Sequence, residues 1–148
     1  MIVRIAVSTQ IDRPVQVVWD FFFDLANSPR WTRSGSELRQ TSEGALGVGT
    51  KLVSVRRILG REIKSQSIVV TQYAPGHLIA YTATVPLIGE ITGGITFESL
   101  GGGTRLSRWG ELGLGRAEGL LGPTVARLLR SGWRTELANL KRLIEARS

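Results

Sequence analysis

The chain has 148 residues, the usual size of one folded domain, and its apolar fraction of 42% is sufficient for a core. It contains no cysteine, which excludes disulfides, thiolate metal sites and cysteine nucleophiles. The formal charge is +7, but the arginines that carry most of it recur singly along the chain, so a dedicated nucleic-acid surface is not favoured.

The N-terminal residues predict a half-buried strand. Apolar and polar residues alternate from Val3 to Ile11, which is the period of a strand with one covered face. This pattern has neither the continuous apolar run nor the cleavage site of a secretory signal, and no run in the chain reaches membrane-spanning length. We therefore expect a cytoplasmic protein, which the lack of cysteine also fits.

Two helical segments are predicted to follow the first strand. Asp12 is a good N-cap and Pro14 suits a first turn, so we expect a helix through about Asp24. The residues from Asn27 onward interrupt it and begin a short turn that carries Trp31. The apolar residues that give the first helix a buried side are Val15, Val18, Trp19, Phe22 and Phe23.

The middle of the chain predicts six strands in close succession. The first is short and extends through Leu38 and Gln40, after which several glycines mark a reversal. The others, each separated by a turn with glycine or proline, are Lys51–Ile58, Glu62–Tyr73, Leu78–Val85, Ile91–Glu98 and Thr104–Leu114. Strands joined by such short turns form an antiparallel meander.

The last segment changes to a helical period. Apolar residues recur at three- and four-residue steps from Pro123 to about Ala146, opposite a row of arginines. A helix of this length spans roughly 35 Å, enough to cross a small sheet. The sequence therefore predicts an α+β domain over residues 1–148, in which about seven antiparallel strands are covered by one long C-terminal helix.

Several stretches resemble a known family. The segment Pro14–Trp31 resembles the opening helix pair of the polyketide cyclase/dehydrase-like branch of the SRPBCC superfamily, to which START domains and birch-pollen-like allergens belong. Further matches lie, in the same order, at Gly47–Thr50, Val70–Leu78, Thr96–Leu106 and Leu140–Leu143. The resemblance implies a helix-grip fold, in which a curved sheet wraps the last helix and encloses an apolar cavity. It implies ligands such as lipids, polyketides and aromatic compounds but no single reaction, because many members only bind.

Common catalytic and cofactor motifs are absent from the sequence. The single histidine, His77, lies in a predicted turn, so a metal site or a Ser-His-Asp arrangement is not expected. The glycine-rich segments Gly44–Lys51 and Gly101–Gly103 are each followed by a strand rather than a helix, unlike a phosphate-binding loop. We therefore predict neither a metal nor a cofactor.

Strand parity places one cation on the expected cavity wall. Leu106, Arg108 and Gly110 share a face with Leu112, and by apolar content this face points inward. In related sequences the position of Arg108 tends to be apolar or aromatic. A buried arginine needs a partner. Three alternatives follow: escape to solvent through a bulge or edge position, an internal salt bridge with a carboxylate such as Glu90, or an anionic group on a ligand.

The same parity argument nominates a set of cavity-lining residues. These are Ala80, Thr82, Ile91, Gly93, Ile95, Phe97, Arg108 and Gly110 on strands, Leu128 and Trp133 on the last helix, and Trp31 near the mouth. Ala80 and Gly93 are small, which favours empty volume, unless large neighbours fill it. Trp31 could instead anchor the core, and an outward Trp109 offers a self-association contact.

Three functions remain open on this evidence. The first is binding or transport of a small hydrophobic ligand, with or without an anionic group, in the internal cavity. The second is a cofactor-free cyclase or dehydratase in which Arg108, Glu90, Thr82 and Tyr81 shuttle protons. The third, implied by the resemblance together with the charge, is a quinone-binding or ribosome-associated role. The absence of an identifiable acid–base pair favours the first.

Overall fold

The computed structural model describes residues 3–33, 35–86, 89–113 and 118–147. The helices are α1 (Val15–Phe23), α2 (Ser28–Trp31) and α3 (Glu118–Glu145), with a 3-10 turn at Leu25–Asn27. The strands β1 to β7 are Val3–Ile11, Glu37–Gln40, Lys51–Ile58, Arg61–Ala74, Leu78–Val85, Gly89–Leu100 and Gly103–Gly113. This confirms the predicted order of a strand, two short helices, six strands and a long helix.

The seven strands form one antiparallel sheet in the order β1-β7-β6-β5-β4-β3-β2. Strands β2 to β7 follow one another as a meander, and β1 pairs with the free side of β7 from Val3↔Leu112 to Ile11↔Thr104. The register shifts between Ser54 and Val55 on β3 and between Val70 and Gln72 on β4. Such bulges bend a strand and increase its twist, which curves the sheet toward one side.

Helix α3 covers the concave side of the sheet. Its buried residues Trp133, Leu137, Leu140 and Ile144 recur at helical spacing, and the helix packs mainly along β1. Its 28 residues correspond to a length of about 42 Å. No helix in the described ranges is long and apolar enough to span a bilayer.

The long helix begins earlier than predicted. The sequence pattern indicates a start at Pro123, because proline suits a first turn, but the helix runs from Glu118 and contains Pro123 within it. A proline inside a helix removes one backbone hydrogen bond. The flanking turns nevertheless remain helical in the structure.

The end of α3 is fastened to the segment between β1 and α1. The backbone N–H of Asp12 donates to Glu145 Oε2 at 2.8 Å, and Lys141 Nζ donates to the Gln10 carbonyl at 2.6 Å. The guanidinium of Arg13 donates to the Glu145 carbonyl. The prediction that Asp12 caps α1 is wrong, because Pro14 occupies the cap position and no side chain caps this helix.

An aromatic cluster joins α1 to the sheet. The ring of Trp19 lies 4.8 Å from that of Phe97 on β6, and Phe22 stacks on Trp31 with ring centres 5.2 Å apart. Offset and edge-on ring contacts of this kind add to the stability from burial alone. The cluster therefore fixes α1 and α2 against the sheet.

Candidate functional site

Arg108 lies on the concave face of the sheet, within β7. Its register partners are Val7 on β1 and Ile95 on β6, and both are buried. These pairings run along β7 without a register shift, so strict alternation directs the side chain inward. The Arg108 side chain is only 16% exposed. The alternative in which a bulge or edge position releases Arg108 to solvent is therefore wrong.

A carboxylate from α3 pairs with Arg108. Nη1 of Arg108 donates to Glu136 Oε1 at 2.8 Å, and the Glu136 side chain is 17% exposed. The second oxygen of Glu136 accepts the backbone N–H of Arg33, just after α2, at 3.1 Å. Glu136 thus ties β7 and the end of α2 to the middle of α3. The structure thus has the internal salt bridge of the second alternative. The carboxylate named there as an example, Glu90, is not the partner, because it is exposed and precedes inward-facing Ile91 on β6.

Two aromatic residues complete the surroundings of the guanidinium. Cζ of Arg108 lies 4.2 Å from the centre of the Trp133 ring, a cation–π distance. The Tyr81 side chain interacts with the same guanidinium. Burial acts to lower the pKa of Arg108, but Tyr81 and Glu136 together outweigh it, so the pKa stays above its ordinary value. Arg108 therefore remains charged inside the protein.

Two buried donors at this site have no hydrogen-bond partner among the described residues. They are Nε of Arg108 and Nε1 of Trp31. Trp31 is 4% exposed, and its backbone carbonyl accepts a bond from Asn139 Nδ2 at 3.1 Å, one turn beyond Glu136. Buried polar groups nearly always have partners. Both atoms are also shielded from solvent, so an oxygen from outside the chain would reach either one only after neighbouring side chains move.

The space between the sheet and α3 is partly open to solvent. Ile68, Tyr73 and Tyr81 belong to the concave face, since they pair with the inward residues Ala83, Ile79 and Gly93. All three are nevertheless only half-buried. Helix α3 packs mainly along β1, which leaves this part of the concave face partly exposed. We call the concave face beside Arg108 and these three residues the hollow.

Five strand residues nominated from the sequence lie on the concave face with Arg108. Ile95 pairs with Arg108 itself, and Gly93 pairs with Gly110. These five residues, all buried, are Ile91, Gly93, Ile95, Phe97 and Gly110. Trp31 and Trp133 are also buried beside the site. That any of them contacts a ligand stays a prediction.

Three other nominated residues lie elsewhere. Ala80 and Thr82 pair with Gly94 and Thr92, so they belong to the convex face, whereas Tyr81 between them faces inward. The parity assignment of Ala80 and Thr82 to the cavity wall is therefore wrong. Leu128 is 58% exposed, because it lies outside the helical stripe that α3 buries. It does not line the hollow.

Ring packing corrects the expectation that small residues leave empty volume. A Cβ built on Gly110 would lie 2.8 Å from Cη2 of Trp133, so the indole rests directly on this glycine. Gly93 is small for a different reason, since a Cβ there would lie 2.4 Å from the backbone carbonyl of Trp109. At Gly110, therefore, the missing side chain makes room for Trp133 rather than for a ligand.

A separate concavity lies on the outside of the protein. It is an open groove of about 670 Å³ between β1 and the second half of α3. Thr9, Leu137 and Arg142 are among its lining residues, together with the ion pair of Lys141 and Glu145. This groove lies at the edge of the sheet and is separate from the Arg108 site.

Glu136 is the site residue that the sequence analysis missed. It lies three residues after Trp133, so both fall near one side of α3. A charged residue next to a buried tryptophan was the available signal. Helical periodicity alone assigns such a residue to the solvated side. It contains no information on which strand residue, here a cation, will face that position.

Residues 3–145 match the family model described as polyketide cyclase / dehydrase and lipid transport. The chain belongs to this family. The match begins at β1 and ends at the last residue of α3, so it includes every element around Arg108. The description of the polyketide cyclase / dehydrase and lipid transport family names both enzymes and carriers. A search among curated proteins found no match to this chain.

Solved structures share the fold of this family member. The crystal structure of Ara h 8.0201 has a TM-score of 0.77 at 10% identity, with 99% of each chain covered. The Zhui aromatase/cyclase from Streptomyces sp. R1128 has a TM-score of 0.75 at 17% identity, covering 99% of this chain and 96% of that one. TTHA0849 from Thermus thermophilus has a TM-score of 0.73 at 19% identity, covering 98% and 99%. These likenesses confirm the helix-grip fold.

Proposed function

We propose that this protein binds and carries a small, largely apolar molecule in the hollow between the sheet and α3, and that an oxygen of this molecule meets Arg108. The observation that carries the proposal is the inward guanidinium with an unpartnered Nε, held against Trp133. The family description includes lipid transport, which supports a carrier role.

The energetics of the site favour an acceptor oxygen on the ligand. Leaving a buried donor without a partner costs about 1–3 kcal/mol. A carboxylate, phenolate or sulfonate oxygen near Nε of Arg108 would recover this cost. The apolar remainder of the ligand would lie against Ile95 and other concave-face residues, whose burial contributes roughly 25 cal/mol per Å² of apolar surface.

The proposal is tested with two fluorescent probes that share their aromatic rings. Anilinonaphthalene sulfonate carries an anionic group, and phenylnaphthylamine lacks it. We expect the wild-type protein to bind both and Arg108→Gln to weaken the sulfonate probe by about tenfold or more, since hydrogen bonds to charged groups contribute about 1.5–3 kcal/mol. Affinity for the neutral probe should be unchanged.

A matched control lies on the same strand. Arg105 is exposed and faces away from the hollow, where it approaches Glu98 at 4.0 Å, so Arg105→Gln should leave both affinities unchanged. If Arg108→Gln is unstable because it leaves Glu136 buried without a partner, the double variant Arg108→Met/Glu136→Gln removes both charges together. No uptake of either probe by folded wild-type protein, or equal effects of the Arg105 and Arg108 variants, would contradict the proposal.

A second candidate function is catalysis of a cyclisation or dehydration. It is favoured by one observation: a carboxylate, Glu136, bonds the buried guanidinium of Arg108, and a phenol, Tyr81, lies near enough to interact with it. Such groups can move protons during carbon–carbon bond formation. The likeness to the Zhui aromatase/cyclase supports the fold only, so this candidate rests on the three side chains.

Turnover separates the two candidates. A synthetic linear poly-β-ketone thioester cyclises slowly by itself, and its aromatic product absorbs in the near ultraviolet. An enzyme should accelerate this reaction, and Tyr81→Phe should reduce the rate while leaving probe affinity intact. A carrier should bind the thioester without changing its rate of cyclisation.

A further inference from the structure

Strands β3 and β4 extend beyond the rest of the sheet as a two-stranded hairpin. Strand β2 pairs with β3 only as far as Val55, and β5 pairs with β4 only from Ser67 onward. Between these limits, residues 56–63 pair only with each other and Lys64 pairs with Val55 at the base; all nine residues from 56 to 64 are exposed. We call this segment, Arg56–Lys64, the hairpin tip.

The turn of the hairpin tip has a leucine in a left-handed conformation and exposes its apolar side chain to solvent. Leu59 has φ +52° and Gly60 has φ +78°, the pattern of a two-residue turn that favours asparagine followed by glycine. A branched side chain in this left-handed region is strained. Leu59 is also 98% exposed, so its side chain contributes nothing to the folded core. Strain and exposure together indicate a role outside the folded chain itself.

Further apolar residues flank this turn. Ile58 is 43% exposed and Ile63 is 45% exposed. Ile58 pairs with Arg61, and Ile63 pairs with Arg56, so both isoleucines share one face of the hairpin with two arginines. The apolar surface is therefore concentrated at the end of the hairpin and is bordered by cations.

The charge at the hairpin tip is strongly positive. Its cations are Arg56, Arg57, Arg61 and Lys64, and its single acid is Glu62. Glu62 already accepts two bonds from Arg39, at 3.0 and 2.8 Å, and one from Arg57 at 3.4 Å. Among the described residues, no salt bridge involves Arg56, Arg61 or Lys64.

We infer that the hairpin tip docks on the surface of an anionic lipid bilayer, with Leu59 entering the interface and the cations contacting headgroups. This inference does not depend on the ligand proposed above. An apolar projection ringed by lysine and arginine matches the layered polarity of such a surface.

The apolar part is tested by flotation with lipid vesicles. We expect binding to vesicles of phosphatidylcholine mixed with phosphatidylglycerol, and none to phosphatidylcholine alone. Leu59→Asn should weaken binding by about tenfold, the effect of losing one buried leucine side chain. Because asparagine suits the turn, the melting temperature should not fall. Val48→Asn removes another exposed aliphatic side chain, 71% exposed in the loop between β2 and β3, and is the control that should bind as wild type.

The electrostatic part is tested by two triple variants with equal charge loss. Arg56→Gln/Arg61→Gln/Lys64→Gln should lose binding and its salt dependence. Arg127→Gln/Arg130→Gln/Arg134→Gln on α3 should retain most of both. The inference is overturned by absent wild-type binding, by unchanged binding of the tip variants, or by equal losses in both triples. A concentration-dependent dimer that Leu59→Asn abolishes would assign the tip to a second copy of the chain instead.

Discussion

At Arg108 the chain keeps a full charge on a face that is otherwise apolar. Burying a guanidinium without a partner is strongly unfavourable. The fold therefore tolerates Arg108 only because neighbouring side chains bind it. Glu136 supplies the opposite charge, and the Trp133 ring lies against the guanidinium. Its Nε is buried and has no hydrogen-bond partner among the described residues. The fold therefore holds the charge but leaves one of its donors unsatisfied.

Gly110 allows a stability prediction at the scale of a single residue. A methyl group there would lie 2.8 Å from Trp133 and 3.3 Å from Ile91, so Gly110→Ala should displace the indole and destabilise the protein by about 1–3 kcal/mol. Urea unfolding measures this change. Gly113→Ala, where a Cβ meets nothing within 4 Å on the same strand, is the control. Equal stability of the two variants would show that Trp133 is free to move.

Among the elements, α3 is held at its C-terminal end by a polar clasp. Glu145 accepts bonds from Lys141 Nζ at 2.7 Å and from the Asp12 backbone at 2.8 Å. The Lys141 bond first, and the Asp12 N–H second, hold the pKa of Glu145 below its ordinary value of 4.5. The carboxylate at the end of the helix therefore connects α3 with the β1–α1 segment.

The pH dependence of stability tests this clasp. A carboxyl whose pKa is lowered by folding stabilises the protein above its ordinary pKa and loses that effect as the pH falls through the folded value. Wild type should therefore melt at a higher temperature than Glu145→Gln at neutral pH, and the difference should close below about pH 4.5. Glu43→Gln, in an exposed loop, is the control. A difference that persists at low pH would contradict the assignment.

For the whole molecule, stability should be unevenly distributed along the sheet. Strands β1, β7 and β6 lie side by side in the sheet and contain much of the core, whereas the hairpin tip pairs only with itself. We expect tip amides to exchange with solvent much faster than those of β6 and β7, because local opening there exposes little apolar surface. Hydrogen-exchange mass spectrometry measures this directly. Protection of the tip equal to that of β7 would contradict the description of an isolated hairpin.

Much of this architecture follows from short-range pattern. Alternation over Val3–Ile11, turn residues between the strands and the helical period up to Ile144 predict each element within a few residues. The inward set on β7 also follows, because Leu106 and Leu112 give one face a clear apolar majority. Family membership follows from the same residues, since residues 3–145 match one family model.

The face of β5 and the partner of Arg108 were decided only by the tertiary structure. Ala80 is buried on the convex face, in register with Gly94, over which the Trp109 ring lies, so small size did not identify the cavity side. Glu136 and Arg108 are 28 positions apart. Their contact depends on how α3 crosses the sheet. Local periodicity specifies which side of an element is apolar, whereas the identity of the facing residue depends on packing between elements distant in sequence.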